Sequence, residues 1–132
     1  MEVNRRWCAG LKVVLDTSFI IYICQKPSSV MREMEDILGK VEMVVPSPVY
    51  NEVKRLAKRK KPAKIALEKL SKDAEIVEHG GPADKAIIDV ARRLKAPIAT
   101  TDLSLASKLR REGLPYFTVK DDHLVTIGKP IL

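Results

Sequence analysis

The sequence predicts a three-layer α/β/α sandwich around a mainly parallel central sheet of about five strands, and three observations lead there. Short apolar, β-branched runs alternate along the chain with stretches whose apolar residues recur at three- and four-residue spacing. The apolar runs do not alternate with polar residues, which marks strands covered on both faces. Clusters of Pro, Gly and Ser separate one element from the next. Parallel strands need helical crossovers, and right-handed crossovers leave few topologies open.

Lys12-Val13-Val14-Leu15 reads as the first strand, ending at Asp16-Thr17-Ser18, whose polar side chains suit the cap of a helix from Phe19 onward. Pro27-Ser28-Ser29 punctuates, and Val30, Met34, Ile37 and Leu38 form a short helix that Gly39 stops. Met43-Val44-Val45 is the next strand. Pro46-Ser47-Pro48 then supplies a break, an N-cap serine and a first-turn proline for a helix carrying Val49, Val53, Leu56 and Ala57. After Pro62, the spacing of Ile65, Ala66, Leu67 and Leu70 predicts another helix, followed by a strand at Glu75-Ile76-Val77-Glu78 and a turn at His79-Gly80-Gly81. Pro82 starts a helix through Ile87, Ile88, Ala91 and Leu94. Pro97 to Thr100 is strand, Leu105, Ala106 and Leu109 are helix, and Tyr116 to Val119 is strand. Beyond the turn-like Asp121-Asp122-His123, Leu124 to Ile127 forms an edge strand or a tail.

A chain of 132 residues with 45% hydrophobic content is expected to bury one core, so residues 1–132 are read as a single domain with its core at about 12–120 and an edge strand or tail at 121–132. The net charge of +7 suits a polyanionic partner as well as plain solubility. Cys8 and Cys24 have neither CxxC spacing nor a second pair to complete a zinc site. No apolar stretch reaches the roughly 18 residues of a membrane span, and Met1 to Lys12 lacks the features of a signal peptide, so a cytoplasmic protein without membrane attachment is expected. Asn4, Asn51 and Gln25 are the only side-chain amides beside abundant Lys and Glu, a bias that suits a thermophile.

In open α/β sheets ligands bind at the carboxyl ends of the strands, where strand order reverses. Here those ends are acidic. Asp16 ends the first strand and Asp102 follows the strand ending at Thr100, so if the two strands are neighbours their carboxylates lie roughly 5 Å apart. Asp84 falls in the first turn after Gly81-Pro82, and Glu52 lies about one turn into the helix that begins at Ser47-Pro48, on the same rim. Each acid has a local alternative: Asp16, Asp84 and Asp102 as caps or first-turn acids, Glu52 as an ion-pair partner of Arg55. Their joint placement favours a metal site, because close carboxylates repel unless a cation neutralises them, and oxygen ligands suit Mg²⁺ or Mn²⁺. A receiver domain would need an acceptor Asp where Val77-Glu78-His79 stands, and a haloacid-dehalogenase phosphatase would need Asp at Ser18.

In this set the chain resembles the PIN-domain ribonucleases. Val14-Leu15-Asp16-Thr17-Ser18 is similar to that family's opening strand and first acid, and Val45-Pro46-Ser47-Pro48-Val49-Tyr50-Asn51-Glu52 to the segment bearing its Glu. Ala83-Asp84-Lys85-Ala86-Ile87-Ile88 resembles the third motif and Ile98-Ala99-Thr100-Thr101-Asp102 the fourth, in the family's order from Lys12 to about Val119. Ser18 and Thr101 depart from the Asn residues frequent there. The resemblance implies a Mg²⁺- or Mn²⁺-dependent endoribonuclease acting on RNA, often a homodimer, either the toxin of a toxin-antitoxin pair with an antitoxin protein as partner or a ribosomal RNA processing nuclease. A catalytically inactive RNA-binding scaffold is the remaining alternative.

On this reading Asp16, Asp84 and Asp102 hold metal, and Glu52 completes the catalytic set or orients water. Thr17, Ser18 and Thr100 hydrogen-bond the carboxylates or a phosphate oxygen, or act as caps. Lys54, Arg55, Lys58, Arg59 and Lys61, in a basic run that also includes Lys60 and Lys64, track the nucleic-acid backbone or form a solvated helix face. Trp7, Tyr22, Tyr50 and Tyr116 are the available stacking residues, each with packing as its ordinary role. Asp121-Asp122-His123 is read as a turn in preference to a ligand set.

Overall fold

The computed structural model describes residues 11–26 and 29–128. Trp7, Cys8 and the rest of residues 1–10, and the break at Pro27-Ser28, lie outside the described residues. Elements follow in the order β1 (Leu11–Leu15), α1 (Thr17–Gln25), α2 (Val30–Leu38), β2 (Val41–Pro46), α3 (Ser47–Ala57), α4 (Lys61–Asp73), β3 (Glu75–Val77), α5 (Ala83–Leu94), β4 (Ile98–Ala99), α6 (Leu103–Arg111), β5 (Tyr116–Lys120) and β6 (His123–Ile127).

The strands form one six-stranded sheet in the order β3-β2-β1-β4-β5-β6, parallel except for β6. The chain therefore builds outward from β1 on one side, then returns to lay β4 on the other. Consecutive residues of a strand point to opposite faces. Val13, Val14 and Leu15 are all buried, as are Val44 and Val45, Ile98 and Ala99, and Tyr116 and Phe117, so both faces of the sheet are covered. Helix α5 packs on β1 and β2, α4 packs against α1 and α3, α2 meets β6, and α6 lies along β5. No helix among the described residues is long and apolar enough to cross a membrane.

The sheet has one strand more than expected, because the C-terminal segment is an edge strand. It is reached through a tight turn at Asp121-Asp122, both with positive φ (53° and 62°), between the paired Lys120 and His123. That is the turn whose twist matches a hairpin and in which Asp is tolerated. Strand β4 is shorter than the expected Pro97 to Thr100. Pro97 has no N–H to give, and the last β1–β4 bond runs from the Asp16 N–H to the Ala99 carbonyl at 3.0 Å, beyond which the chain turns away.

A second difference is local. Ser47 was expected to cap α3, but the N-cap position belongs to Pro46. The Ser47 hydroxyl accepts the His79 N–H at 3.0 Å and donates to the His79 carbonyl at 3.1 Å, pinning the segment after β3 to the start of α3. Gly39 ends α2 as expected, at φ 81°.

Two leucines of α6 separate the core from its surface: Leu105 is wholly buried and Leu103 is 83% exposed. Leu105→Ala is expected to cost about 2–5 kcal/mol in chemical unfolding, and Leu103→Ala no more than about 0.5 kcal/mol.

Candidate functional site

Because β1 pairs with β2 on one side and β4 on the other, the loops after β1 and β4 leave in different directions and open a crevice at their carboxyl ends. Asp16 and Asp102 flank it. Val14 pairs with Ile98 and Leu15 with Ala99, so the adjacency on which the expected acid pair depends is present.

Asp16 occupies the N-cap position of α1 but makes no capping bond from its side chain. Its Oδ2 instead accepts two hydroxyl hydrogen bonds, from Ser18 and from Thr100, each at 2.8 Å. The residue is only 7% exposed. Burial pushes its carboxyl above the usual carboxylate range; the bonds from Thr100, Ser18 and the Thr17 backbone pull it back, and the nearby charge of Asp102 pushes it up again.

Both hydroxyls are relays. The wholly buried Thr100 accepts the Asp102 N–H at 3.0 Å while donating to Asp16, and Ser18 accepts the Thr101 N–H at 3.0 Å while donating to the same oxygen. Each hydroxyl has one proton, and both protons are directed at Asp16. The 3.3 Å separation of the two hydroxyl oxygens is thus proximity without a shared proton. No buried side-chain polar atom among the described residues lacks a partner.

Asp102 does cap its helix. Its Oδ1 accepts the N–H groups of Ser104 at 2.8 Å and Leu105 at 3.3 Å. The residue is exposed, and among the described residues its second oxygen has no hydrogen bond. Asp84 is an exposed acid in the first turn of α5. Glu52 does not pair with Arg55. Its Oε1 accepts the Thr17 hydroxyl at 2.6 Å, so the start of α1 holds it and its own helix does not.

Asp16, Glu52, Asp84 and Asp102 line a single cleft of about 610 Å³, together with Thr17, Ser18 and Thr101. Among the described residues, no three acidic, His or Cys side chains stand close enough to clasp one ion between them. The acids thus surround a space. Repulsion between carboxylates and the capping duty of Asp102 favour such an open ring. Its donors are all oxygen, and a hard cation that keeps part of its water shell, as Mg²⁺ does, is the group this chemistry fits.

The cleft also has an apolar part, with Ile21, Tyr22 and Leu56 one helical turn on from Thr17, Ser18 and Glu52. Tyr22 had packing as its ordinary role, and nothing in the sequence alone marks it as facing the site. Tyr50 lies beneath Lys54, whose Nζ is 5.1 Å from the ring centre. Tyr116 is buried, its hydroxyl accepting from Arg110 at 3.1 Å. The turn at Asp121-Asp122-His123 is engaged elsewhere: Asp122 bonds Tyr22 and Lys26, and His123 meets Glu33. Cys24 is a half-buried free thiol.

Lys54, Arg55, Lys58, Arg59, Lys60, Lys61 and Lys64 are all exposed, and no acid among the described residues pairs with them. They cover the end of α3 and the start of α4. Arg55 also borders a hollow of about 470 Å³ with Asn51 and His79, which shares Glu52, Pro82 and Ala83 with the acidic cleft.

Residues 13–121 match the family described as a PIN like domain. The chain is 26% identical to Ribonuclease VapC9 of Archaeoglobus fulgidus over 129 residues, 94% of this chain and 91% of the relative. Its fold is similar to that of the PIN domain endonuclease Utp24, with a TM-score of 0.71 at 20% identity over 92% of this chain and 96% of the other. A domain of a functionally unknown protein from Methanocaldococcus jannaschii matches at a TM-score of 0.57 and 15% identity, covering 92% of this chain and 97% of that one.

Ionised Asp16 in a mostly buried position is a cost to the cation-free protein. A carboxyl raised by folding leaves that cost absent below the ordinary value of 3.8 and fully present once the pH exceeds its raised folded value. Asp16→Asn is therefore expected to raise the melting temperature by a few degrees at neutral pH in EDTA, with the gap narrowing in acid; thermal unfolding of the two proteins across pH checks this.

Proposed function

The chain belongs to the PIN-like domain family, and on that footing we propose that it is a single-domain, divalent-metal-dependent endoribonuclease that hydrolyses RNA phosphodiester bonds in the cytoplasm. The observation that carries this reading is the Asp16 carboxylate, mostly buried, freed from capping and held by two hydroxyls at the mouth of a cleft lined by three further acids. Such an arrangement is wasteful for a cap and suited to a cation site.

Asp16, Asp84 and Asp102 would hold Mg²⁺ or Mn²⁺. When bound, that ion makes a water more acidic and offsets charge that develops on the phosphate oxygens. Thr100 and Ser18 keep one oxygen of Asp16 oriented, and their links to the N–H groups of Asp102 and Thr101 tie the first and last acids into one unit. Thr17 orients Glu52, which positions the attacking water or completes the ligand set. The exposed cations of α3 and α4, Lys54, Arg55, Lys58, Arg59 and Lys61, bind the RNA backbone beside the cleft.

Likeness to Ribonuclease VapC9 over nearly the full length of both chains supports a role as the toxin of a toxin-antitoxin pair, working as a homodimer and restrained by an antitoxin protein. A ribosomal RNA processing enzyme would use the same site, and an inactive RNA-binding scaffold would have no use for Asp16 as it is held.

Cleavage of a structured RNA is expected with Mg²⁺ or Mn²⁺ and not with EDTA, and Asp16→Asn and Asp102→Asn each lower the rate about 100-fold or more. Thr100→Val, which removes a positioning hydroxyl, lowers it about 10–100-fold. Metal-independent cutting, or full activity in both Asn variants, contradicts the mechanism; tight binding with no cutting favours the scaffold. Replacing Lys58 and Arg59 by Ala should weaken RNA binding and flatten its logarithmic salt dependence by roughly 0.7 per lost phosphate contact on single strands.

A further inference from the structure

The cleft has two unlike walls. One is the acid ring. The other is built by Ile21, Tyr22 and Gln25 of α1, which share a helix face by their spacing, and by Leu56 of α3. Apolar side chains beside four carboxylates do nothing for a cation, and a bare phosphodiester has no use for them either. A nucleobase does.

Two features make this wall more than exposed packing. The Tyr22 hydroxyl donates to Asp122 Oδ1 at 2.5 Å, and Lys26 Nζ stands 3.7 Å from the same oxygen, so the ring is anchored at its polar end by the β5–β6 turn. That bond pushes the phenol up to about 12, which keeps it a protonated donor at any working pH. A ring already fixed loses little freedom when a base stacks on it. Gln25 is exposed, and among the described residues its amide makes no hydrogen bond, leaving a donor and an acceptor available side by side.

We propose that this wall receives the base of a nucleotide adjoining the cut phosphodiester, with the Tyr22 ring as stacking platform and the Gln25 amide meeting the edge of the base. The inference rests on the ribonuclease reading and adds to it a source of sequence preference. Stacking accepts any base, whereas an amide that donates and accepts distinguishes among base edges, so Tyr22 supplies affinity and Gln25 selectivity. Asp122 is a positioning residue, acting through the Tyr22 hydroxyl.

The test uses the full chain and a short single-stranded RNA. The position cut by the wild type is found first, and the RNA is then remade with an abasic nucleotide on each side of it in turn and with each of the four bases there. On one side, the abasic change is expected to lower wild-type kcat/KM about 10-fold. Tyr22→Ala should lower it by a similar factor on the intact RNA and respond little to the abasic change, while Tyr22→Phe keeps the dependence on the base. Gln25→Ala, at an exposed position that folding does not need, should narrow the differences among the four bases. The proposal is overturned if Tyr22→Ala and the abasic change lower the rate by independent, multiplying factors and Gln25→Ala leaves base preference as it was, the pattern expected were this wall a seat for a protein partner. Wild type that cuts no RNA overturns the ribonuclease reading itself; cutting with independent factors overturns the base site alone.

Discussion

The rest of the structure is arranged around one constraint: a carboxylate, Asp16, held mostly out of water where two parallel strands end side by side. A charge in that position is tolerable only with hydrogen bonds to its ionised form and with somewhere for the charge to be neutralised. The hydroxyls of Ser18 and Thr100 meet the first need and the open cleft the second. Both hydroxyls depend on the pairing of β1 with β4, since Ser18 follows one strand and Thr100 the other.

From that pairing the neighbouring elements take their positions. Thr100 and Ser18 each accept a backbone N–H from the approach to α6, so the helix that carries Asp102 is tied to the same oxygen that burial has made costly. Thr17, beside Asp16 in sequence, reaches across to Glu52 and draws α3 to the rim. The basic run then continues from α3 into α4 next to the cleft, where it can oppose the negative field of the acids and favour the approach of a polyanion. The apolar part of the lining, with Tyr22 tied to the terminal hairpin, links the C-terminal strands to the cleft.

Much of this was legible in the sequence because the strongest signals are short-ranged. The unbroken apolar runs at Val13-Val14-Leu15 and Val44-Val45 announce strands buried on both faces, and the Pro and Gly punctuation places the helices between them. The meeting of Asp16 and Asp102 followed from the rule for strand ends once the two strands were taken as neighbours. What the sequence left open or misread is of another kind. Ser47 looks like a cap, and Arg55 stands as a local alternative partner for Glu52, because local rules see only the next turn. The partners that won, His79 and Thr17, lie 32 and 35 residues away in sequence. Asp16 was indistinguishable from a capping aspartate for the same reason: Thr100, which takes its oxygen, is 84 residues on. Tyr22 gave no sign of its place, since the turn that anchors it is 100 residues further along.

Direct binding of Mn²⁺, followed by titration calorimetry on the RNA-free protein, tests most directly whether this buried carboxylate exists to hold a cation. Wild type should bind Mn²⁺, Asp16→Asn should bind it at least about tenfold more weakly, and Thr100→Val should fall between them with its fold intact. Equal binding by all three, or none by the wild type, would contradict the account.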